Sequence, residues 1–359
     1  MRVIIPINLD RWKFPVSTSL RELTLRNPDI DFYSFSSPAS EEDQRLGKEV
    51  LWSKPNVHKI STLDLARQSF DIIHHASATP RNLLAASLAK ARSFGRCVHI
   101  FTAPIQPHED DEFYRQYVIS VRRADVLGAV SHAVAKDIQE QFGRKVDAVI
   151  PSGVDLEFFS NRKTQPLDLE KLGIRQPYVL FVGVLTQRKR PDVFMKIATL
   201  VPELDFVLVG AGYTPEEEAI YRGAASQYSN IKLMGYQPRT AVRNFMGNAL
   251  ALVFPSELEG LPLTILEASA MGIPVLAQPK SSMPEAVIDD ITGWILPIDP
   301  LQTWADQLTK IANWSEVERS HFSTKARAFV SEHYSWDSIA RQYSELYYRV
   351  SKERGLRFP

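Results

Sequence analysis

Asp155-Leu156-Glu157-Phe158-Phe159-Ser160-Asn161-Arg162-Lys163-Thr164-Gln165-Pro166-Leu167-Asp168-Leu169-Glu170-Lys171-Leu172-Gly173-Ile174-Arg175-Gln176-Pro177 is the stretch on which the fold turns. It is polar and mixed, carries no long apolar run, and is punctuated by Pro166 and Pro177, as an interdomain linker should be. On both sides of it, short apolar runs alternate with amphipathic stretches. Upstream, Arg2–Leu9, Ile30–Ser36, Asp71–Ser77, Arg96–Thr102, Asp125–Ser131 and Asp147–Pro151 read as strands, separated by helical stretches at Ser17–Arg26, Pro80–Phe94, Asp111–Arg123 and Ala133–Gln141. Downstream, Tyr178–Leu185, Asp205–Gly210, Asn230–Met234, Ala249–Phe254 and Pro274–Ala277 read as strands, with helices at Asp192–Leu200, Pro215–Tyr228, Arg239–Met246 and Leu263–Met271. This alternation predicts parallel sheets covered on both faces. About ten strands would build one large sheet or two smaller ones, and the linker decides for two.

The expected architecture is therefore α/β, with two Rossmann-like, doubly wound domains, 1–160 and 170–335, joined near residue 165. Trp336, Ile339, Ala340, Tyr343, Leu346 and Tyr347 recur at helical spacing, so a last amphipathic helix is expected from Trp336 to Val350, with 336–359 packing back on the first domain. Ligands of such sheets bind beyond the carboxyl ends of the strands. With two such domains, the expected site is the central cleft they face.

Composition narrows the class. The 359 residues include 42 basic and 42 acidic side chains, a net charge of zero. The balance holds in parts, with 20 of each in 1–160 and 22 of each beyond. No arm is set up to grip a polyanion, which argues against a nucleic-acid binder. A hydrophobic content of 44% is that of a globular chain and not of a disordered one. Cys97 stands alone, so an intramolecular disulfide and a thiolate-rich metal site are both excluded. The start, Met1-Arg2-Val3-Ile4-Ile5-Pro6-Ile7, is too short an apolar run for a signal-peptide core, and no run approaches the roughly 20 apolar residues of a membrane span. A cytoplasmic location is expected, compatible with peripheral contact at the cytoplasmic face of a membrane.

The strongest chemical signal is Pro255-Ser256-Glu257-Leu258-Glu259-Gly260-Leu261-Pro262-Leu263-Thr264-Ile265-Leu266-Glu267-Ala268, which follows a buried strand and opens a helix. Pro262 suits the first helical turn. Backbone N–H groups around Leu263 to Ile265 would then face outward as an anion site. Glu259 in the loop and Glu267 on the helix would accept hydrogen bonds from pairs of ring hydroxyls. The competing reading is a capping box, Thr264-x-x-Glu267, with Glu259 as a solvated loop acid. A second signal is Val182-Gly183-Val184-Leu185-Thr186-Gln187-Arg188-Lys189-Arg190-Pro191. Here a strand end releases three cations into a loop suited to phosphate oxygens, or into a solvated basic turn. Gly183 would let a ligand approach the backbone closely. Val209-Gly210-Ala211-Gly212 lacks the third glycine of the dinucleotide fingerprint, and Gly235-Tyr236-Gln237 would border a nucleobase or simply form a turn with a packed tyrosine.

The histidines form no metal set. His74 and His75 are adjacent on a strand and point to opposite faces, His99 lies inside a strand, and His108-Glu109-Asp110-Asp111 reads as a solvated acidic turn. Neither a Gly-x-Ser-x-Gly elbow nor a P-loop is present.

Together these segments resemble the group 1 glycosyltransferases of the GT-B fold, the retaining family 4. Glu259 to Glu267 is similar to that family's Glu-x7-Glu element, and Arg188 and Lys189 fall where its donor-phosphate Arg and Lys lie. Ser281-Ser282-Met283-Pro284-Glu285-Ala286-Val287 resembles its Gly-Gly-x-Pro-Glu-x-Val turn, and Val149-Ile150-Pro151-Ser152-Gly153-Val154-Asp155 its domain-joining signature. Asp290 to Gly293 and Tyr334-Ser335-Trp336 continue the match. The order and spacing of these motifs, from about residue 125 to residue 347, are what make the resemblance specific.

The resemblance implies a metal-independent, retaining hexosyltransferase-type enzyme with no cofactor beyond its nucleotide-sugar substrate. The acceptor would be a glycan, a lipid-linked group or a small molecule held by the first domain, with the donor held by the second. Arg188 and Lys189 would neutralise the diphosphate, Glu259 would hold the donor sugar, and Glu267 the ribose. Gly183, Gly210, Tyr236, Gly260, Leu261, Leu263 and Thr264 would complete the donor site. Two departures stand out. Asn8 to Thr18 has no glycine where the family usually carries a pair, and Phe101-Thr102-Ala103-Pro104 replaces a frequent His-Asp pair. They motivate a rival reading, a catalytically impaired nucleotide-sugar or glycan-binding module. A nicotinamide oxidoreductase would rest on Gly210-Ala211-Gly212 alone.

Overall fold

The computed structural model describes residues 1–6, 15–35, 54–106, 113–160 and 163–355, with the side chains of 15–19 and 62 left aside. The chain divides into two compact units, Met1–Gly153 with Trp336–Pro359, and Val154–Ser335. The polar stretch Asp155–Pro177 thus belongs to the second unit, and the chain changes unit after Gly153 and after Ser335, not near residue 165. Side-chain contacts invisible in a polarity pattern fasten it there. Phe159 is buried, the Gln165 N–H donates to Asn244 Oδ1 at 3.1 Å, and Arg175 gives its backbone N–H and its guanidinium to buried Asp205.

In the first unit, strands β1 (Arg2–Ile5), β2 (Asp31–Phe35), β3 (Val57–Ile60), β4 (Ile72–His75), β5 (Val98–Ala103), β6 (Val126–Ala129) and β7 (Ala148–Val149) form a sheet in the order β3-β2-β1-β4-β5-β6-β7. Every pairing is parallel, with Val3 opposite Phe32 and Ile72. One face, with Val3, Ile5, Phe32, Ile72, Val98 and Ile100, packs on Leu20 and Leu23 of the helix Pro15–Arg26 and on the helix Trp336–Glu353. That last helix buries Trp336, Ile339, Ala340, Tyr343, Leu346 and Tyr347, the spacing that predicted it. Gly153 lies so close to it that a β-carbon would stand 2.6 Å from the Trp336 ring, so only glycine fits. Buried His74 sits between Tyr347 Oη (2.6 Å from Nδ1) and Thr102 Oγ1 (2.9 Å from Nε2).

In the second unit, β8 (Tyr178–Val182), β9 (Asp205–Val209), β10 (Ile231–Leu233), β11 (Ala251–Phe254), β12 (Val275–Ala277) and β13 (Gly293–Ile295) form a parallel sheet in the order β10-β9-β8-β11-β12-β13. The sequence pattern missed β3 and β13. The first is four residues with a polar interior, Val-His-Lys-Ile, and the second is three residues long. Helices Thr62–Arg67, Gln302–Ala312 and Glu316–Tyr334 also join the expected set. The first strand ends at Ile5, and the rest of its expected span lies largely outside the described residues. The Asp111–Arg123 helix is described from Tyr114. Among the described residues no helix is long and apolar enough to cross a membrane.

Candidate donor site in the second unit

Strand β8 has β9 on one side and β11 on the other. The chain leaves β8 toward β9 and β10, then crosses back to β11, so the loops after β8 and β11 part at the carboxyl ends of the strands. A doubly wound sheet opens its ligand crevice at this point. Both chemical signals of the sequence fall on these two loops.

The loop after β8 is held by its neighbours. The Gly183 N–H donates to Val209 O at 3.1 Å, the Leu185 N–H to Ala211 O at 2.9 Å, and the Gly210 N–H to Gly235 O at 2.9 Å. Gly210 has φ of 153°, and a β-carbon there would stand 1.8 Å from the Gly183 carbonyl oxygen. A β-carbon on Gly212 would stand 2.7 Å from Glu218 N, at the start of the next helix. Chain-to-chain packing therefore accounts for both glycines of Gly210-Ala211-Gly212, and the dinucleotide fingerprint is not needed to explain them. Exposed Tyr236 follows Gly235, whose φ of 66° is a left-handed turn conformation.

Gln187–Lys189 then forms one 3-10 turn and projects two of the three cations toward the second loop. Arg190 turns away. It adopts φ of 55° and binds Asp192 Oδ1 at 2.9 Å and Glu257 Oε1 at 2.6 Å. The basic run thus supplies two cations to the site and one cross-tie between the loops.

The loop after β11 is tied down residue by residue. The Glu257 N–H donates to Arg188 O at 2.9 Å, and Arg188 Nη1 donates to Leu258 O. Buried Gln278 donates to Pro255 O and Ser256 O at 2.7 and 2.8 Å. At the centre is Glu259, only 8% exposed. Its Oε1 accepts from Lys189 Nζ at 2.6 Å, Arg188 Nη1 at 3.0 Å and Ser256 Oγ at 2.5 Å. Burial pushes the Lys189 ammonium below its ordinary range, Glu259 opposes that, and Arg188 adds to it. The ammonium also lies 4.8 Å from the centre of the Phe254 ring.

The helix that follows, Leu263–Met271, has Pro262 at its N-cap with φ −76° and ψ 105°. Pro262 therefore precedes the first turn where the sequence placed it inside. No side chain caps the helix, so the Thr264–Glu267 capping box does not form. The Ile265 N–H closes on Pro262 O at 3.1 Å. Among the described residues the Leu263 and Thr264 N–H groups meet no acceptor. They mark the positive end of a helix dipole. Glu267 lies one turn further in and is half-buried. Burial pushes its carboxyl up to about 7, with Arg239 pulling it down and Asp155 adding to the rise. The Arg239 guanidinium rests on the rings of Phe158 and Phe159, at 4.3 and 4.9 Å.

Glu259, Arg188 and Lys189 are thus brought together, with Gly260, Leu261, Leu263, Thr264 and Glu267 following Glu259 along the same loop and helix. Ser256, Gln278, Ser281, Ser282 and Arg239 were not singled out from the sequence. Only the two serines carried a signal, because they stand where the resembling turn has glycines. In the first unit, the His75 and His99 rings meet Nε2 to Nε2 at 2.8 Å, and no group of three metal-ligating side chains forms among the described residues. The acidic turn at 108–111 and most of the glycine-free loop at 8–18 lie outside the described residues.

Comparison with known proteins gives a family and a fold. The family model described as "Glycosyl transferases group 1" matches residues 165–329, and that described as "Glycosyltransferase Family 4" matches residues 20–158. The D-inositol 3-phosphate glycosyltransferase of Xylanimonas cellulosilytica is 28% identical over 252 residues, 66% of this chain and 60% of that protein. The N-acetyl-alpha-D-glucosaminyl L-malate synthase of Bacillus anthracis is 26% identical over 94% of both chains. The crystal structure of Anabaena HepE in complex with UDP-glucose superposes with a TM-score of 0.72, at 16% identity, over 96% of this chain and 99% of that one. This last likeness speaks for the fold.

Proposed function

Since the chain belongs to the group 1 glycosyltransferases, built on two Rossmann-like parallel-sheet domains of the GT-B type, we propose that it moves a hexose-type sugar from a nucleotide-sugar donor, with retention of anomeric configuration and without a metal. The observation that carries this reading is the single Glu259 carboxylate facing Lys189 and Arg188 beside an uncapped helix start at the sheet's switch point. In the reaction the bond from the anomeric carbon to the diphosphate oxygen breaks, and its electron pair leaves with the phosphate. The acceptor hydroxyl oxygen forms the new bond to the anomeric carbon, and its proton passes to the departing phosphate oxygen. Positive charge grows on the sugar ring and negative charge on the leaving group.

Lys189 and Arg188 neutralise that negative charge, with the Leu263 and Thr264 N–H groups adding the helix dipole. These groups are already in place, so little reorganisation is needed as charge develops. Two fixed cations supply the positive charge that a metal provides in other transferases, which is the ground for metal independence. Glu259 holds hydroxyls of the donor sugar, Glu267 those of the ribose, and Tyr236 borders the base. The UDP-glucose bound by the structural neighbour favours a nucleotide-sugar donor of this general kind. The acceptor is a glycan, a lipid-linked group or a small molecule, taken up by the first unit.

The test is a panel of UDP-glucose, UDP-N-acetylglucosamine, GDP-mannose and ADP-glucose, followed by calorimetry and by release of the nucleoside diphosphate. Binding of at least one donor, with turnover unaffected by EDTA, is expected. Binding without turnover across a broad acceptor panel would favour a non-catalytic binder. A thermal shift with NAD in place of every sugar nucleotide would overturn the reading.

A further inference from the structure

Ser281 is a non-glycine residue at φ of 50°, a left-handed conformation that L side chains adopt at a cost. The family turn that this segment resembles carries glycine at this position and at the next, and glycine relieves the cost. A strained serine kept where glycine is easier suggests that the hydroxyl does something.

Its contacts say what. Ser281 Oγ accepts from the Glu259 N–H at 3.2 Å and donates to the Glu259 carbonyl oxygen at 2.7 Å. Ser282, fully buried, donates to the same carbonyl oxygen at 3.0 Å. Both peptide groups flanking Glu259 are therefore held from one side. A trans peptide points its C=O and N–H in opposite directions. Holding the Glu259 carbonyl against the serine turn thus aims the Gly260 N–H away from that turn, and among the described residues this N–H meets no acceptor. The backbone under Glu259 is fixed while its carboxylate is fixed separately by Lys189, Arg188 and Ser256.

We propose that Ser281 and Ser282 are positioning residues for donor-sugar recognition: a two-hydroxyl clamp on the Glu259 backbone that seats the chain carrying its carboxylate and aims the Gly260 N–H toward the sugar. This rests on the donor-site reading above. The clamp acts on the groups assigned to the sugar and not on those assigned to the ribose, so its loss should separate the two parts of the donor.

The experiment uses the full chain and whichever sugar nucleotide of the panel wild type binds, alongside its free nucleoside diphosphate. Ser281→Gly, Ser282→Gly and the double variant are compared, with Ser282→Ala as a variant that keeps a β-carbon. In the double variant, affinity for the nucleoside diphosphate should stay within about twofold of wild type. Affinity for the sugar nucleotide should fall roughly tenfold, the fold-change for losing about one net hydrogen bond. The ratio of the two affinities reports sugar recognition, which a general loosening of the fold would not move selectively. Ser281→Gly alone relieves the left-handed strain but removes two hydrogen bonds to Glu259, so its thermal stability should stay close to that of wild type. An unchanged ratio in the double variant overturns the clamp, as does an equal loss for both ligands. If the double variant does not fold, the ratio in Ser281→Gly and Ser282→Ala decides in the same way. Failure of wild type to bind any sugar nucleotide would instead overturn the donor-site reading itself.

Discussion

Replacing Glu267 by glutamine should stabilise the protein at pH 8 and do little at pH 5. Burial holds this carboxyl at about 7 in the folded state, against an ordinary value of 4.5. For an acid whose folded value is raised, ionisation is harder in the folded chain than in the unfolded one. Its contribution to stability is intact below 4.5, declines as pH rises toward 7, and levels off above that. The gap between the two values corresponds to about 3 kcal/mol once the group is ionised. Glutamine keeps the shape and never ionises, so the variant should gain up to about that much over wild type at pH 8 and close to nothing near pH 4.5. The assay is urea denaturation at pH 5, 6, 7 and 8, followed by tryptophan fluorescence, with Trp294, Trp304 and Trp314 reporting on the second unit. A difference between variant and wild type that stays flat from pH 5 to 8 would refute the reasoning. Nucleotide affinity should move the opposite way. Only the ionised carboxylate accepts from two ribose hydroxyls, so wild-type affinity should rise with pH through about 7, and the glutamine variant should bind weakly at every pH.

Lys189→Ala removes a cation aimed at the leaving diphosphate and should lower turnover about 100- to 1,000-fold in a coupled diphosphate-release assay, with a smaller change in nucleotide affinity. Arg190→Ala, next in the chain, breaks only the ties to Asp192 and Glu257. It should cost about 1 kcal/mol in urea denaturation and leave turnover within a few-fold, and a loss as deep as that of Lys189→Ala would contradict this division of labour. Tyr347→Phe strips the buried His74 Nδ1 of its partner. Burial already holds that ring down to about 3, so it cannot gain a proton to compensate. The variant should lose about 1–3 kcal/mol, and an unchanged urea midpoint would show that the contact contributes nothing.

The α/β class was legible because buried parallel strands write near-continuous apolar runs between amphipathic helices, and Tyr178 to Val182 or Asp205 to Val209 could hardly be anything else. β13 was not, because Gly293-Trp294-Ile295 is too short to carry a period. The site was legible in part for a similar reason. Glu259, Glu267, Arg188 and Lys189 stand at strand ends and at a helix start, positions that composition marks. Ser256 and Gln278 act by reaching across to backbone carbonyls and a carboxylate far from their own neighbours in sequence, and nothing local announces that.

The sequence by itself determined the layered architecture, the neutral charge balance that argues against a polyanion partner, and the order of motifs that carries the family resemblance. Those properties depend on periodicity, composition and spacing, which are local or cumulative. Tertiary structure decided which of three adjacent cations face the site, that Thr264 caps nothing, and that Gly210 makes room for the Gly183 carbonyl. It also decided that the polar stretch from Asp155 belongs to the second unit, and that two serines brace Glu259 from a turn 22 residues away. Each of these depends on direction and distance between segments far apart in the chain. A side chain's identity limits what it can bind, but only the packed backbone sets what lies within reach.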